Sequence, residues 1–177
     1  MKEQARHSRW HPQRGLSLLE TVISLALLSV TAVGIMSIAA VAITTTEGQG
    51  HLAARAAEYA QDKMEQLISL SYGDPSTDTT IFPEGTSGSG LTIGGSSDTA
   101  NPVSTYVDYL DVSGNQLTVS GNTAPSNWYY IRAWQIDAPS GTSNLKRITV
   151  TAQARYPAGG KGIAPKATLV TLKSSPF

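Results

Sequence analysis

The sequence predicts an α+β fold in which one very long N-terminal helix packs on a small antiparallel sheet. Three observations carry this expectation. The stretch from Thr21 to Thr46 contains no charged residue. Small and apolar residues recur at helical spacing between His51 and Leu70. Beyond residue 103, five β-rich segments are separated by turn-forming residues.

The N-terminal element is set apart by its charge. Residues 1–15 carry Lys2, Arg6, Arg9 and Arg14 against the single acid Glu3, and the apolar stretch from Leu16 to about Ile43 holds only Glu20. About 20 apolar residues in a helix cross a hydrocarbon core of about 30 Å, so this stretch is long enough to span a bilayer. The basic flank predicts a cytoplasmic N-terminus and an exported remainder. Three processing fates compete on these residues alone. The segment is an uncleaved anchor, a secretory signal peptide cut after the small-x-small run Ala40-Val41-Ala42 to leave Ile43 first, or a helix in which Glu20 has a purpose. A carboxylate in a membrane helix costs about 2.5–3.5 kcal/mol near the bilayer centre, so by default it marks a function with a partner.

The run Arg14-Gly15-Leu16-Ser17-Leu18-Leu19-Glu20, followed by an unbroken apolar segment, closely resembles the N-terminal signal of type IV pilins and type II secretion pseudopilins. The resemblance implies cleavage by a prepilin peptidase on the cytoplasmic side after Gly15 and methylation of the new N-terminus, Leu16. It also implies pairing of Glu20 with the N-terminal amine of a neighbouring subunit. Most family members have Phe where this chain has Leu16, and major pilins often carry a helix-breaking Pro inside the apolar segment, whereas none occurs here between Pro12 and Pro75. The chemistry is consistent, because an α-amine with a pKa near 8 is largely cationic at neutral pH and offsets a carboxylate in lipid.

The resulting organisation is a leader over residues 1–15, a transmembrane or filament-core helix over 16–46, an amphipathic helix over 47–72, a Gly/Ser/Thr-rich loop over 73–102 and an antiparallel β domain over 103–177. A continuous helix from Leu16 to Leu70 would reach about 80 Å. Gly34 and the region from Thr44 to Gly50 are where it is expected to bend or loosen. In the second half, Ala53, Ala57, Ala60, Met64, Leu67 and Ser71 define the expected packing face; Arg55, Glu58, Asp62, Lys63, Glu65 and Gln66 lie largely off it. The run from Ala60 to Leu67, with Tyr72 after it, also resembles minor pilins of the PilV type. The loop is expected to hold short extended pieces around Ile81-Phe82 and Leu91-Thr92-Ile93, its glycines serving flexibility.

The expected strands are Val103–Val112, Gln116–Ser120, Asn127–Ala138, Leu145–Tyr156 and Lys166–Lys173, with turns at Ser113-Gly114-Asn115 and Ala138-Pro139-Ser140-Gly141. In the fourth, Ile148, Val150, Ala152, Ala154 and Tyr156 share one face, and Arg147, Thr149, Thr151, Gln153 and Arg155 the other. Trp128, Tyr130 and Trp134, the centre of the aromatic concentration with Tyr129, are expected to fill the sheet–helix interface, with an exposed glycan-binding patch as the alternative.

Composition excludes several functions. The 177 residues include no cysteine, which removes disulfides, thiolate metal sites and thiol catalysis. Lys+Arg and Asp+Glu number 13 each, so a nucleic-acid partner is not expected. Of three histidines, His7 and His11 fall in the leader and His51 stands alone on the helix. No nucleophile elbow, zinc motif or paired carboxylates stand out, and the chain is not expected to be an enzyme or to hold a cofactor. Gly159-Gly160-Lys161-Gly162 departs from a phosphate loop and reads as a turn. Asp74 with Asp78, or Asp108 with Asp111, are weak calcium candidates against a turn-forming role.

Two function classes follow. The first is a filament subunit, a minor pilin or alternatively a type II pseudopilin. Its partners would be other such subunits through residues 16–46, the prepilin peptidase, the bilayer before assembly, and an inner-membrane platform powered by a separate ATPase. The second is a membrane-anchored or secreted adhesin-type binding module.

Overall fold

The structure, a computed structural model, describes residues 18–73, 79–80, 90–119, 123–142, 144–160 and 162–175. The fold is α+β, with one long helix, α1 (Leu18–Ser69), and six antiparallel strands. These are β1 (Gly94–Gly95), β2 (Val107–Leu110), β3 (Gln116–Leu117), β4 (Tyr130–Asp137), β5 (Leu145–Ala154) and β6 (Lys166–Ser174). Two compact units share the chain, one ending at Ile43 and the other running from Thr44 to Phe177.

In the first unit, α1 presents apolar side chains all round, and every described residue from Leu18 to Ile43 is exposed. The expected loosening at Gly34 and around Gly48–Gly50 is not seen, and the helical hydrogen bonding continues through both. Isolated glycines cost a helix about 1 kcal/mol each, which neighbouring good helix formers offset.

In the second unit, α1 buries Ala56, Tyr59, Ala60, Lys63, Met64 and Leu67. Ala60, Met64 and Leu67 match the expected face, whereas Ala53 and Ala57 are exposed and Ser71 is half-buried. The true stripe is rotated toward Ala56, Tyr59 and Lys63. Periodicity among alanines is a weak guide because an alanine contributes little apolar area in either direction.

The strand order is β3-β2-β4-β5-β6, with β1 pairing the part of β4 that β2 leaves free. All five expected strands are present, four of them with trimmed ends and β6 one residue longer, to Ser174. The helix-facing side of β4 and β5 carries Tyr130, Trp134, Ile136, Ile148, Val150, Ala152 and Ala154, which join Tyr59, Met64 and Leu67 in one core. Tyr156 lies beyond the end of β5 and is exposed, contrary to the expected alternation. Thr151, on the other face, is buried and shares a 3.0 Å hydrogen bond with Thr168 of β6.

The helix end is capped from the sheet. Lys173 of β6 donates to the carbonyls of Ile68 (2.5 Å) and Leu70, and Lys146 of β5 to those of Tyr72 (2.8 Å) and Leu91. No basic residue occupies the last turn of α1 itself, so these two lysines supply the positive charge that a helix C-terminus favours.

The connector also departs from its expected role. Leu91 is fully buried in the core, and Gly94–Gly95 forms β1. At Gly95, with φ +80°, an added Cβ would lie 2.4 Å from the Trp134 carbonyl oxygen and 2.5 Å from the Tyr106 ring. Close approach, not flexibility, requires this glycine. Gly95→Ala is therefore expected to destabilise the fold by about 3 kcal/mol. Gly50→Ala, helical and with open space around it, should be neutral or gain up to about 1 kcal/mol. Urea unfolding of the two variants in the same micelles checks the contrast. Ile81, Phe82, Gly88 and Ser89 lie outside the described residues.

Candidate functional site

Two arrangements stand out, one in each unit. In the first, four hydroxyls of the apolar helix bond to their own backbone. Thr21 Oγ1 donates to the Leu18 carbonyl (2.8 Å), Ser29 Oγ to Leu25 (2.8 Å), Thr31 Oγ1 to Leu28 (2.8 Å) and Ser37 Oγ to Val33 (2.8 Å). Each hydroxyl proton is satisfied inside the helix, so these residues present little polar demand to their surroundings. Leu19, Val22, Ile23, Leu27, Val30 and Ile38 are all exposed large apolar residues. Among the described residues, one helix is long and apolar enough to cross a membrane.

Glu20 is exposed in the first turn of the described helix, where the N-terminal end of the helix dipole favours a carboxylate. Among the described residues no cation forms an ion pair with it. Gly15 and Leu16 lie outside the described residues.

The second arrangement is a buried charge cluster between helix and sheet. Strand register sets Asp108 of β2 directly opposite Arg132 of β4. Arg132 Nε donates to Asp108 Oδ1 at 2.6 Å and Nη2 to Oδ2 at 2.8 Å, a two-point carboxylate pairing. Its Nη1 reaches Asp62 Oδ2 on α1 at 2.6 Å, and Lys63 Nζ lies 3.3 Å from Asp108 Oδ2. Lys63 and Asp108 are each only 1% exposed. The lysine ammonium also sits 4.0 Å from the centroid of the Trp134 ring. Burial pushes the Lys63 pKa below the ordinary lysine value, and Asp108 opposes that shift. Lys63 was expected off the packing face; its aliphatic stem crosses the core and its charge is met by Asp108.

The aromatic residues divide between the two faces of the sheet. Tyr130 meets Tyr59 edge-on at 4.8 Å, and Trp134 lies under Lys63, both in the sheet–helix interface as expected. Trp128 is not there. It precedes β4 and packs edge-on against Tyr109 at 5.7 Å, with the Arg155 guanidinium 4.8 Å from its ring. Tyr109 pairs in register with Ile131, on the face away from α1.

The Trp134 indole donates to Thr79 Oγ1 (2.7 Å), whose own hydroxyl donates to the Thr105 carbonyl (2.7 Å). This chain holds Thr105 at φ +66°, a conformation that costs a β-branched residue about 1–2 kcal/mol. Thr105 borders a cavity of about 700 Å³ with Thr80, Ser104, Tyr109, Gln116 and Leu117. Asp108 also borders it, but its carboxylate is engaged by Arg132 and Lys63.

The calcium candidates resolve differently. Asp108 belongs to the buried cluster. Asp111 organises the β2–β3 turn by accepting from the Asn115 side chain (3.0 Å), the Asn115 amide (2.9 Å) and the Ser113 amide (2.8 Å). Those bonds, the Asn115 side chain foremost, hold its carboxyl below the usual range. Asp74 and Asp78 lie outside the described residues. Among the described residues, no three His, Cys, Asp or Glu side chains group as a metal would require. Gly159 and Gly160 belong to a tight 3-10 turn, Ala158–Gly160, between β5 and β6.

No protein-family model, curated protein or solved structure matches the chain significantly.

Proposed function

We propose that the chain is a structural subunit of a type IV pilus, a minor pilin, cleaved after Gly15 by a prepilin peptidase, methylated on Leu16 and assembled through residues 16–46. The observation that carries this reading is the uncovered apolar helix from Leu18 to Ile43 with Glu20 as its single charge, joined in one chain to a small domain.

The physical sequence is short. Before assembly, the bilayer covers the apolar side chains, with the N-terminus cytoplasmic and residues 44–177 exported. Leader removal frees an α-amine that is largely cationic at neutral pH. That amine on one subunit meets Glu20 of a neighbour, offsetting two charges that each cost several kcal/mol when unpaired in apolar surroundings. Apolar helix surfaces then exchange lipid for one another, and a separate ATPase drives extraction. A pseudopilin of a type II secretion system would use the same steps.

The N-terminal mass of the protein recovered from the envelope of its host tests the proposal. A chain beginning at Leu16, with an added methyl, is the expected result. A start at Ile43 or an intact Met1 would instead assign a secreted or anchored module. Recovery in surface filaments identifies the pilus; loss of exported proteins on deletion identifies the secretion system.

A further inference from the structure

The sheet ends on the long strand β6 at one side and on the two-residue strand β3 at the other. The register of β6 with β5 is unbroken from Gln153↔Lys166 to Leu145↔Ser174. Just beyond the two ends, the Ala154 amide donates to the Pro165 carbonyl (3.0 Å) and the Ser175 amide to the Asn144 carbonyl (2.9 Å). Alternate residues of an antiparallel strand turn their backbone groups to opposite sides, so these two bonds fix the phase. Ala167, Leu169, Thr171 and Lys173 bond β5, and Lys166, Thr168, Val170, Leu172 and Ser174 turn their N–H and C=O groups away from it. Among the described residues, none of those outward backbone groups has a partner.

The same residues carry exposed side chains on the sheet face away from α1, where Val170 is 60% and Leu172 59% exposed. Soluble proteins guard a free edge with brevity, Pro, a bulge or a charge. β3 is guarded by its length, whereas β6 has no Pro and no bulge, and Lys173 is drawn to the carbonyls of Ile68 and Leu70. Lys166, at one end, is the one charge on its exposed face. The surrounding chain is basic. From Ala138 to Phe177 there is no acid, against Lys146, Arg147, Arg155, Lys161, Lys166 and Lys173. Asp137 accepts from Arg147 at 3.0 Å and Asp98 lies in the field of Lys166, so bases still outnumber acids around this edge among the described residues.

We infer that the free edge of β6 takes up an extended, acidic segment of a partner protein as an additional strand of the sheet. The outward N–H and C=O groups from Lys166 to Ser174 bond the incoming backbone, and its alternate side chains cover Val170 and Leu172. The basic surroundings select carboxylates in that segment and set its rate of encounter. A second copy of β6 brings the same bases and no acid, so it is the poorer occupant. The inference concerns the unit from Thr44 onward alone and stands whether or not residues 18–43 build a filament.

Photo-crosslinking of the full-length chain in its host tests this. Benzoylphenylalanine is placed singly at Thr168, Val170 and Leu172, and at Ser140 in the β4–β5 turn as a control; all four side chains are exposed. The three edge sites are expected to capture one acid-containing segment of another protein. The captured position should move by two residues for each two-residue step along β6, the period of a paired strand. Ser140 should give no such series. With the crosslinker at Leu172, Val170→Pro removes an outward N–H and should lower the yield about tenfold or more, whereas Val170→Thr keeps that N–H and the yield. No capture from the three edge sites, capture without the two-residue step, or a captured segment without acids overturns the inference. Capture of β6 from a second copy overturns it too, as does a Val170→Pro chain that crosslinks like its parent.

Discussion

Asp108→Ala is expected to destabilise the folded chain by about 3–5 kcal/mol, because it strands two buried cations that share one carboxylate. Arg132 would lose both of its strand-to-strand bonds and keep only Asp62, whose side chain is half-exposed. Lys63 would keep the Trp134 ring and the more remote charge of Asp62. A melting temperature lower by on the order of 10 °C in micelles is the measurement for a domain of this size. A control separates the cost of breaking the cluster from the value of having it. Replacing Asp108, Lys63 and Arg132 together by Leu, Met and Met removes every buried charge, and such exchanges are often neutral or stabilising. The triple variant should thus be markedly more stable than Asp108→Ala alone; equal instability would mean that the site's shape, not its charge, is what matters.

The pH dependence adds a second signature. The Lys63 pKa is lowered in the folded chain, so between that value and the ordinary lysine value the unfolded chain binds more protons. Stability from this group therefore rises with pH across that window, and the full penalty applies below it. Removing Asp108 takes away the main opposing influence and extends the window toward neutrality. The stability gap between Asp108→Ala and the parent chain should narrow as pH rises from neutral into the alkaline range. A gap independent of pH would show that Lys63 is not the group left stranded.

Glu20→Ala is expected to lower incorporation into filaments by about tenfold or more, equivalent to roughly 1.4 kcal/mol per docking step, while membrane insertion and leader cleavage persist. Insertion should not suffer, since the substitution removes a carboxylate from the first turn of an apolar helix, where a charge only adds to the cost of entering the bilayer. Docking should suffer, since the neighbour's amine enters the apolar bundle without a counter-charge. Glu20→Gln distinguishes charge from hydrogen bonding: it keeps the length and an acceptor but not the charge, and should fail almost as badly. The readout is the ratio of filament-borne to membrane-borne protein in cells, with cleavage followed by mass. Normal incorporation of Glu20→Ala would remove Glu20 from the assembly mechanism.

Much of this was legible from periodicity. The strand residues Ile148, Val150, Ala152 and Ala154 alternate with polar neighbours, and all four are in the core. The turns at Gly114 and Gly141 have the positive φ values that their composition implies. Even the buried cluster left a trace, for Tyr106-x-Asp108-x-Leu110 and Tyr130-x-Arg132-x-Trp134-x-Ile136 place an acid and a base among inward positions. Lys63 stands three residues after Ala60 and four before Leu67 on the buried stripe, but a lysine reads as solvent-facing until its counter-charge is known.

What the sequence by itself determined is whatever depends on neighbours along the chain. The apolar helix with its lone carboxylate, the alternating strands and the turns that separate them all arise from local spacing. Only the tertiary structure decided which charges could be buried, why Gly95 has no side chain and which lysines cap α1. Each of these brings together residues far apart in sequence, such as Lys63 with Asp108 or Ile68 with Lys173. The energy of a buried charge or a close contact depends on the partner in space, and a periodic pattern carries no record of that partner.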